Sequence, residues 1–168
     1  MQTPRAHYDG WTTDDLDALP GDGVRRELVD GVLIVTPPAP AHIGLAWRLA
    51  MMLNALLPRT FVAMLHGEVR AGYRRSFVPD VIVVARDAIE REPRWYEPSE
   101  VALAVEIVAP ASAAIDRVLK PALYAAVGIQ GYWRIEPAEN RLHAYALVDE
   151  LYQDAGELDL TGIAAEED

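Results

Sequence analysis

Three side chains carry the chemistry this sequence could perform: Asp80, Glu106 and Lys120. Each carboxylate interrupts a run of β-branched and apolar residues of the length a buried strand needs, Phe77-Val78-Pro79-Asp80-Val81-Ile82-Val83-Val84 and Val101-Ala102-Leu103-Ala104-Val105-Glu106-Ile107-Val108. A charge inside or at the mouth of a buried strand is costly unless it is paired or binds a cation. Lys120 is the single lysine among 15 basic residues. Lysine is a compact point charge with a movable pKa where arginine is a rigid fork, so its singular use at this position points to chemistry. Two carboxylates on neighbouring strands make a hard-cation site, in which Asp80 and Glu106 supply the protein's share of Mg2+ or Mn2+ coordination. A nearby lysine can orient or deprotonate an attacking water and neutralise charge developing on phosphorus oxygens. That chemistry is metal-dependent phosphodiester hydrolysis. The same residue types also serve as a structural ion-pair network.

Strand-like runs alternate with helical ones and also form hairpins, so the fold class is α/β, a mixed β-sheet flanked by helices. A threonine cap and acids in the first turn start a short helix in Trp11-Thr12-Thr13-Asp14-Asp15-Leu16, and Pro20-Gly21-Asp22-Gly23 ends it. Asp30-Gly31 between Arg25–Val29 and Val32–Val35 is a strong hairpin signal. Glu27, the one acid inside a strand of that hairpin, reads as an outward-facing residue paired with a neighbouring arginine. Pro37-Pro38-Ala39-Pro40 is a rigid extended link. A helix follows from about Ala41 to Leu57, apolar on several faces and therefore expected to be buried on most sides, with His42 in its first turn. His42 reads either as a local hydrogen-bonding partner or as a site contributor.

Thr60 to Leu65 and Glu68 to Ala71 read as strands with a kink at Gly67, and Arg86 to Ser99 as a surface loop long enough to be a lid. After the Glu106 strand, Ser112 can cap a helix on which Asp116, Lys120 and Tyr124, spaced by four, share one face. Pro121 predicts a kink there or a fresh helix start, and Gly128 the helix end. Gly131 to Ile135 and Arg141 to Val148 close the fold. Residues 1–153 are expected to form one domain and residues 154–168 an acidic, loosely ordered tail.

With 168 residues the chain suits one domain. Its net charge of -11 is unevenly spread. Eight of the 26 acids fall in residues 149 to 168, leaving 18 acids against 15 bases in the rest. Within that near-neutral body Arg70, Arg74 and Arg75 cluster beside Tyr73, as a solvated hairpin loop or as a patch contacting nucleic-acid phosphate. The absence of cysteine removes disulfides, thiolate metal sites and cysteine nucleophiles together. No apolar run is long enough to span a membrane, and Met1 to His7 lacks the apolar core of a signal peptide, so a cytoplasmic location is expected.

In order along the chain, Glu27-Leu28-Val29-Asp30-Gly31, His42, Pro79-Asp80, Val105-Glu106-Ile107-Val108-Ala109-Pro110, Asp116 to Lys120 to Tyr124, and Gly128 to Tyr132-Trp133 resemble the signature of the Uma-two family. That is a bacterial family of restriction-endonuclease-like proteins placed in the PD-(D/E)xK nuclease superfamily. The resemblance implies an endonuclease-like fold, with Asp80 matching the aspartate of the PD motif and Glu106 the acid of the ExK motif. The superfamily's lysine lies two residues beyond that acid, where this chain has Val108. In this family the lysine of the following helix takes its place, matching Lys120. Ala109 and Ala111 stand where members often have serine. The function implied is Mg2+-dependent hydrolysis of DNA, with Glu27, His42, Asp116 and Tyr124 in support and a homodimer as one compatible assembly. Two rivals are a catalytically silent nuclease-fold binding or regulatory protein, and a plain structural domain in which Asp116 and Lys120 form an ordinary i,i+4 pair.

Overall fold

A computed structural model describes residues 9–36, 40–110 and 113–161. Most of the proline-rich link, the Ser112 cap and residues 162–168 of the tail lie outside them. The chain opens with α1 (Thr13–Asp17), started by a reciprocal capping box between Thr12 and Asp15. Asp30 and Gly31, with φ of 49° and 85°, make the mirror-image turn whose twist matches paired strands. They join β1 (Arg25–Val29) to β2 (Val32–Thr36) in the expected register. Then follow α2 (Pro40–Leu56), β3 (Phe61–Leu65), β4 (Val69–Arg70), β5 (Ser76–Phe77), β6 (Val81–Ala85), α3 (Arg86–Glu90), β7 (Val101–Ile107), α4 (Lys120–Ala126), β8 (Gly131–Glu136), β9 (Arg141–Val148) and β10 (Leu151–Asp159).

Two sheets result, a small one in the order β2-β1-β5-β4 and a large one in the order β10-β9-β8-β7-β6-β3. Among the named strands β7 and β8 alone pair in parallel, as the crossover through α4 between them requires. The run Phe77–Val84, which reads as one strand in the sequence, is divided between the sheets: β5 ends at Phe77 and β6 starts at Val81. Pro79 has no N–H to give a ladder, so pairing breaks there and Asp80 stands at the mouth of β6.

The large sheet is covered on both faces, which is why its central strands are apolar at nearly every position. Val81, Val83, Val105 and Ile107 pack toward Ala46, Leu49, Ala50 and Leu53 of α2. Ile82, Val84 and Ala104 turn the other way, toward Leu123, Tyr124 and Tyr132. By alternation Glu106 projects with Ala104 into this second layer. Contrary to expectation, α2 is not buried on most sides: Ile43, Trp47 and Met51, four apart, are about half exposed because one flank alone meets the sheet. The 86–99 loop is not a free lid either. Tyr96, buried, exchanges backbone hydrogen bonds with Glu68 and Arg70, fixing the loop as a wall.

The expected domain boundary at 153 falls inside β10, which pairs with β9 along its length apart from a bulge between Asp154 and Gly156. Its acids face solvent while its backbone completes the sheet, and Leu160 beyond it is buried in the core on the α2 side. Composition alone suggested disorder, but the backbone pairing with β9 and the buried Leu160 hold the segment although nearly every side chain of β10 is exposed. Leu160→Ala is therefore expected to cost about 2–4 kcal/mol of folding stability. A urea midpoint that does not move would return the segment to the status of an appendage.

Candidate active site

The side chains singled out by type and spacing converge where the two sheets meet. Glu106 comes from the middle of the large sheet, Glu27 from β1 of the small one, Asp80 from the link between them, and Asp116 and Lys120 from the crossover. All five are buried. The crossover manages Pro121 in a specific way. Residues Ile115–Leu119 form a π-helical turn in which the Lys120 N–H donates to the Ile115 carbonyl, and Pro121 then sits in the first turn of α4, where its missing N–H leaves no gap in the ladder. The helix therefore runs on through αR backbone at Leu119 and Lys120 instead of starting afresh at Pro121. Gly128, with φ of 83°, closes α4, while Ile129 N–H donates back to the Tyr124 carbonyl.

Lys120 Nζ lies 2.9 Å from Glu106 Oε1, 3.4 Å from Glu27 Oε2 and 3.8 Å from Asp116 Oδ1. Burial works to lower the affinity of its ammonium for the proton, but the carboxylates of Glu106 and Glu27 outweigh it and hold Lys120 above its ordinary value. The geometry thus holds a positive charge at Lys120, beside Glu106 and Glu27. Tyr124 donates its hydroxyl to the same Glu106 oxygen at 2.5 Å and packs edge-on against Phe77 and Tyr132. Burial pushes the Glu106 carboxyl up, to about 8, against the pull of Lys120 and with Asp80 and Glu27 adding to the rise. Asp80 accepts from the backbone N–H of Ile107 at 2.8 Å, which seats it beside Glu106. Glu27, read from sequence as outward-facing, is 2% exposed and accepts from the Val78 N–H at 2.9 Å. The closure of the small sheet over the large one turns it inward.

One member of the site escaped the sequence reading. Arg25 Nη1 donates to Asp80 Oδ1 at 2.6 Å. Burial opposes its charge, yet Asp80, Glu27 and Glu106 together raise it above its already high value. The signal was present: Arg25 and Glu27 are two apart on a strand and so share a face. His42 is not part of this cluster. It is half-buried in α2 and lines, with His66, Arg25 and Asp80, a cleft of about 720 Å3 between the small sheet, α2 and the 93–96 wall.

The three arginines read from sequence as a solvated loop or a phosphate-contacting patch are each engaged by the fold, though Arg74 stays exposed. Arg70 is buried and bound to Asp17 and Glu68 at 2.6 and 2.7 Å. Arg75 pairs with Asp30 at 2.6 Å, and Arg74 lies over Gly31, so closely that any Cβ there would strike its guanidinium. Both clasp the hairpin turn.

Among the described residues no three His, Asp or Glu side chains form a ready-made metal cage. The donor set nevertheless suits a hard divalent cation. Glu27, Asp80, Glu106 and Asp116 set four carboxylates against the two cations Arg25 and Lys120 within one buried cluster. Fully ionised, it carries an excess of two negative charges, the amount a divalent ion offsets. Asp80 and Glu106 would be its ligands, two protein oxygens being a usual share for Mg2+.

The Uma2 family profile, described as "Putative restriction endonuclease", matches residues 13–167. Among solved structures, a "putative nuclease belonging to DUF820" from Anabaena variabilis superposes with a TM-score of 0.67, at 22% identity over 88% of this chain and 84% of that one. No curated protein matches the sequence. Among the described residues no helix is long and apolar enough to cross a membrane.

Proposed function

Because the chain belongs to the Uma2 family, we propose that it is a Mg2+-dependent endonuclease hydrolysing DNA phosphodiester bonds. The observation that carries this reading is one buried cluster in which four carboxyl groups, Glu27, Asp80, Glu106 and Asp116, surround Lys120 and Arg25. When bound by Asp80 and Glu106, Mg2+ or Mn2+ would supply an activated water and charge neutralisation at the phosphoryl group. The chain's own residues supply the rest. Lys120 sets a positive charge against Glu106 and Glu27, close enough to the metal ligands to favour negative charge developing on phosphorus oxygens. Glu27, anchored to the Val78 N–H, and Asp116 hold the ammonium in place, and Tyr124 fixes the carboxylate of Glu106.

Mg2+ or Mn2+ is expected to raise the melting temperature, because it binds the folded state alone. Asp80→Asn should remove that increment together with cleavage of single-stranded, duplex and supercoiled DNA. Equal increments in the wild type and in Asp80→Asn would sink the assignment. A second reading, a nuclease-fold binding protein without turnover, is favoured by one observation: Arg25 already engages Asp80 Oδ1 at 2.6 Å. Metal-induced stabilisation with no cleavage of any DNA form decides for it.

A further inference from the structure

Resting on the nuclease reading, we propose that the cleft beside Asp80 receives a single, unpaired nucleic-acid strand, and that Arg25 binds its phosphate. Asp80 is the one carboxylate of the buried cluster that lines this cleft; Glu27, Glu106, Asp116 and Lys120 do not. At 4% exposure Asp80 can be reached only by a group that descends to the cleft floor. A cleft of about 720 Å3 has room for a small-molecule-sized group such as a nucleotide or two. In a duplex the second strand travels with every phosphate, and a cleft of this volume, lined by Leu19, Arg26, His42, Ile43, Pro93 and Tyr96 among others, would take one strand's nucleotides and not the second strand as well. His42 and His66 on the cleft lining offer flat rings of the kind on which unpaired bases stack.

The cations of the cleft differ in what they have left to give. Arg26 spends two N–H groups on Asp22 at 2.8 Å each. Arg70 is shared between Asp17 and Glu68, and Arg94 reaches Asp17 at 3.4 Å. Arg25 engages Asp80 through Nη1 alone, and its buried Nε has no hydrogen-bond partner among the described residues. That Nε is closed off from solvent, but the Arg25 side chain is 22% exposed and lines the cleft, so the part of its guanidinium that Asp80 leaves free is what a phosphate oxygen can meet. A guanidinium that bonds Asp80 on one side and a phosphate on the other would place that phosphate next to the carboxylate.

The test is fluorescence anisotropy in EDTA with a labelled oligothymidylate and a hairpin duplex of equal length, over a range of salt. Wild type is expected to bind the single strand about tenfold or more tightly than the duplex, the factor by which strand separation handicaps the latter. Arg25→Gln should reduce the slope of log affinity against log salt by about 0.7, the increment for one phosphate contact on a single strand. Arg25→Lys, which keeps the charge on Asp80 but lacks the second edge of the guanidinium fork, should weaken binding with the slope retained, so a result survives if the glutamine variant fails to fold. Duplex bound as tightly as single strand, or slopes unchanged in a folded Arg25→Gln, would overturn the inference. An arginine that merely braces Asp80 would shift the melting temperature and leave the slope alone. Because binding is read without metal, a failure of cleavage leaves this measurement standing. Cleavage by wild type with an unaltered slope in the variant refutes the inference alone.

Discussion

Lys120→Met is expected to lower cleavage about a hundredfold or more and, without divalent metal, to destabilise the fold by roughly 3–5 kcal/mol. Both effects come from the same geometry. The ammonium is 5% exposed and stands between three carboxylates, at 2.9, 3.4 and 3.8 Å. Its removal leaves Glu27, Glu106 and Asp116 facing one another with Arg25 as the remaining cation of the cluster. A surface i,i+4 pair with Asp116 would instead be worth about 0.3–0.5 kcal/mol, and arginine would replace the lysine without loss. Asp116 is the most distant of the three partners, so this weak-pair reading does not describe the site. Lys120→Arg should also lose cleavage, since a planar fork cannot occupy a closed position shaped for one point charge. Mg2+ should recover part of the stability of Lys120→Met by supplying positive charge to the same carboxylates. Urea unfolding with and without Mg2+, beside a cleavage assay, checks all three statements. A folded Lys120→Arg that cleaves at the wild-type rate would remove the lysine from the site.

The site was more legible in this sequence than the frame that holds it. Asp80 and Glu106 betrayed themselves because a carboxylate within an apolar run has few inexpensive explanations, and Lys120 because it stands alone among arginines. The hairpin at Asp30-Gly31 and the helix end at Gly128 were legible because positive φ leaves a strong local mark on residue choice. Glu27 was misread as outward-facing, since alternation along β1 says which residues share a face and not which face is covered. That depends on the small sheet folding over the large one, a non-local event. Arg25 was missed for the same reason. The Arg70 cluster failed in the opposite sense, because proximity in sequence says nothing of the acids, Asp17, Glu68 and Asp30, that the fold brings to each arginine. Acidic composition hid β10, although an edge strand needs only its backbone, anchored here by Leu160 just beyond it.

Glu106→Gln is expected to cost cleavage and yet to stabilise the metal-free protein progressively as pH rises from about 5 to about 8. The carboxyl is 1% exposed, and burial, with Asp80 and Glu27 nearby, lifts it from an ordinary 4.5 to about 8 despite Lys120 and Tyr124. Below pH 4.5 the folded and unfolded chains both hold this proton and it contributes nothing to the difference between them. Between 4.5 and 8 the unfolded chain releases it and the folded chain keeps it, so stability falls as pH rises, by up to roughly 1.4 kcal/mol per pH unit. Above 8 both forms are ionised and the loss levels off. Glutamine has no proton to lose, while its amide oxygen can still accept from Lys120 and Tyr124, so the variant should escape this decline. The gap between variant and wild type should therefore open across that window and then stay constant. Saturating Mg2+ should flatten the wild-type curve, because the cation takes over the role of the proton, and should leave Glu106→Gln little changed. Urea denaturation from pH 5 to 9 reads the result. A gap that is flat in pH, or that closes as pH rises, would show Glu106 to be ionised and satisfied by Lys120 alone, and the cluster to have no need of a metal.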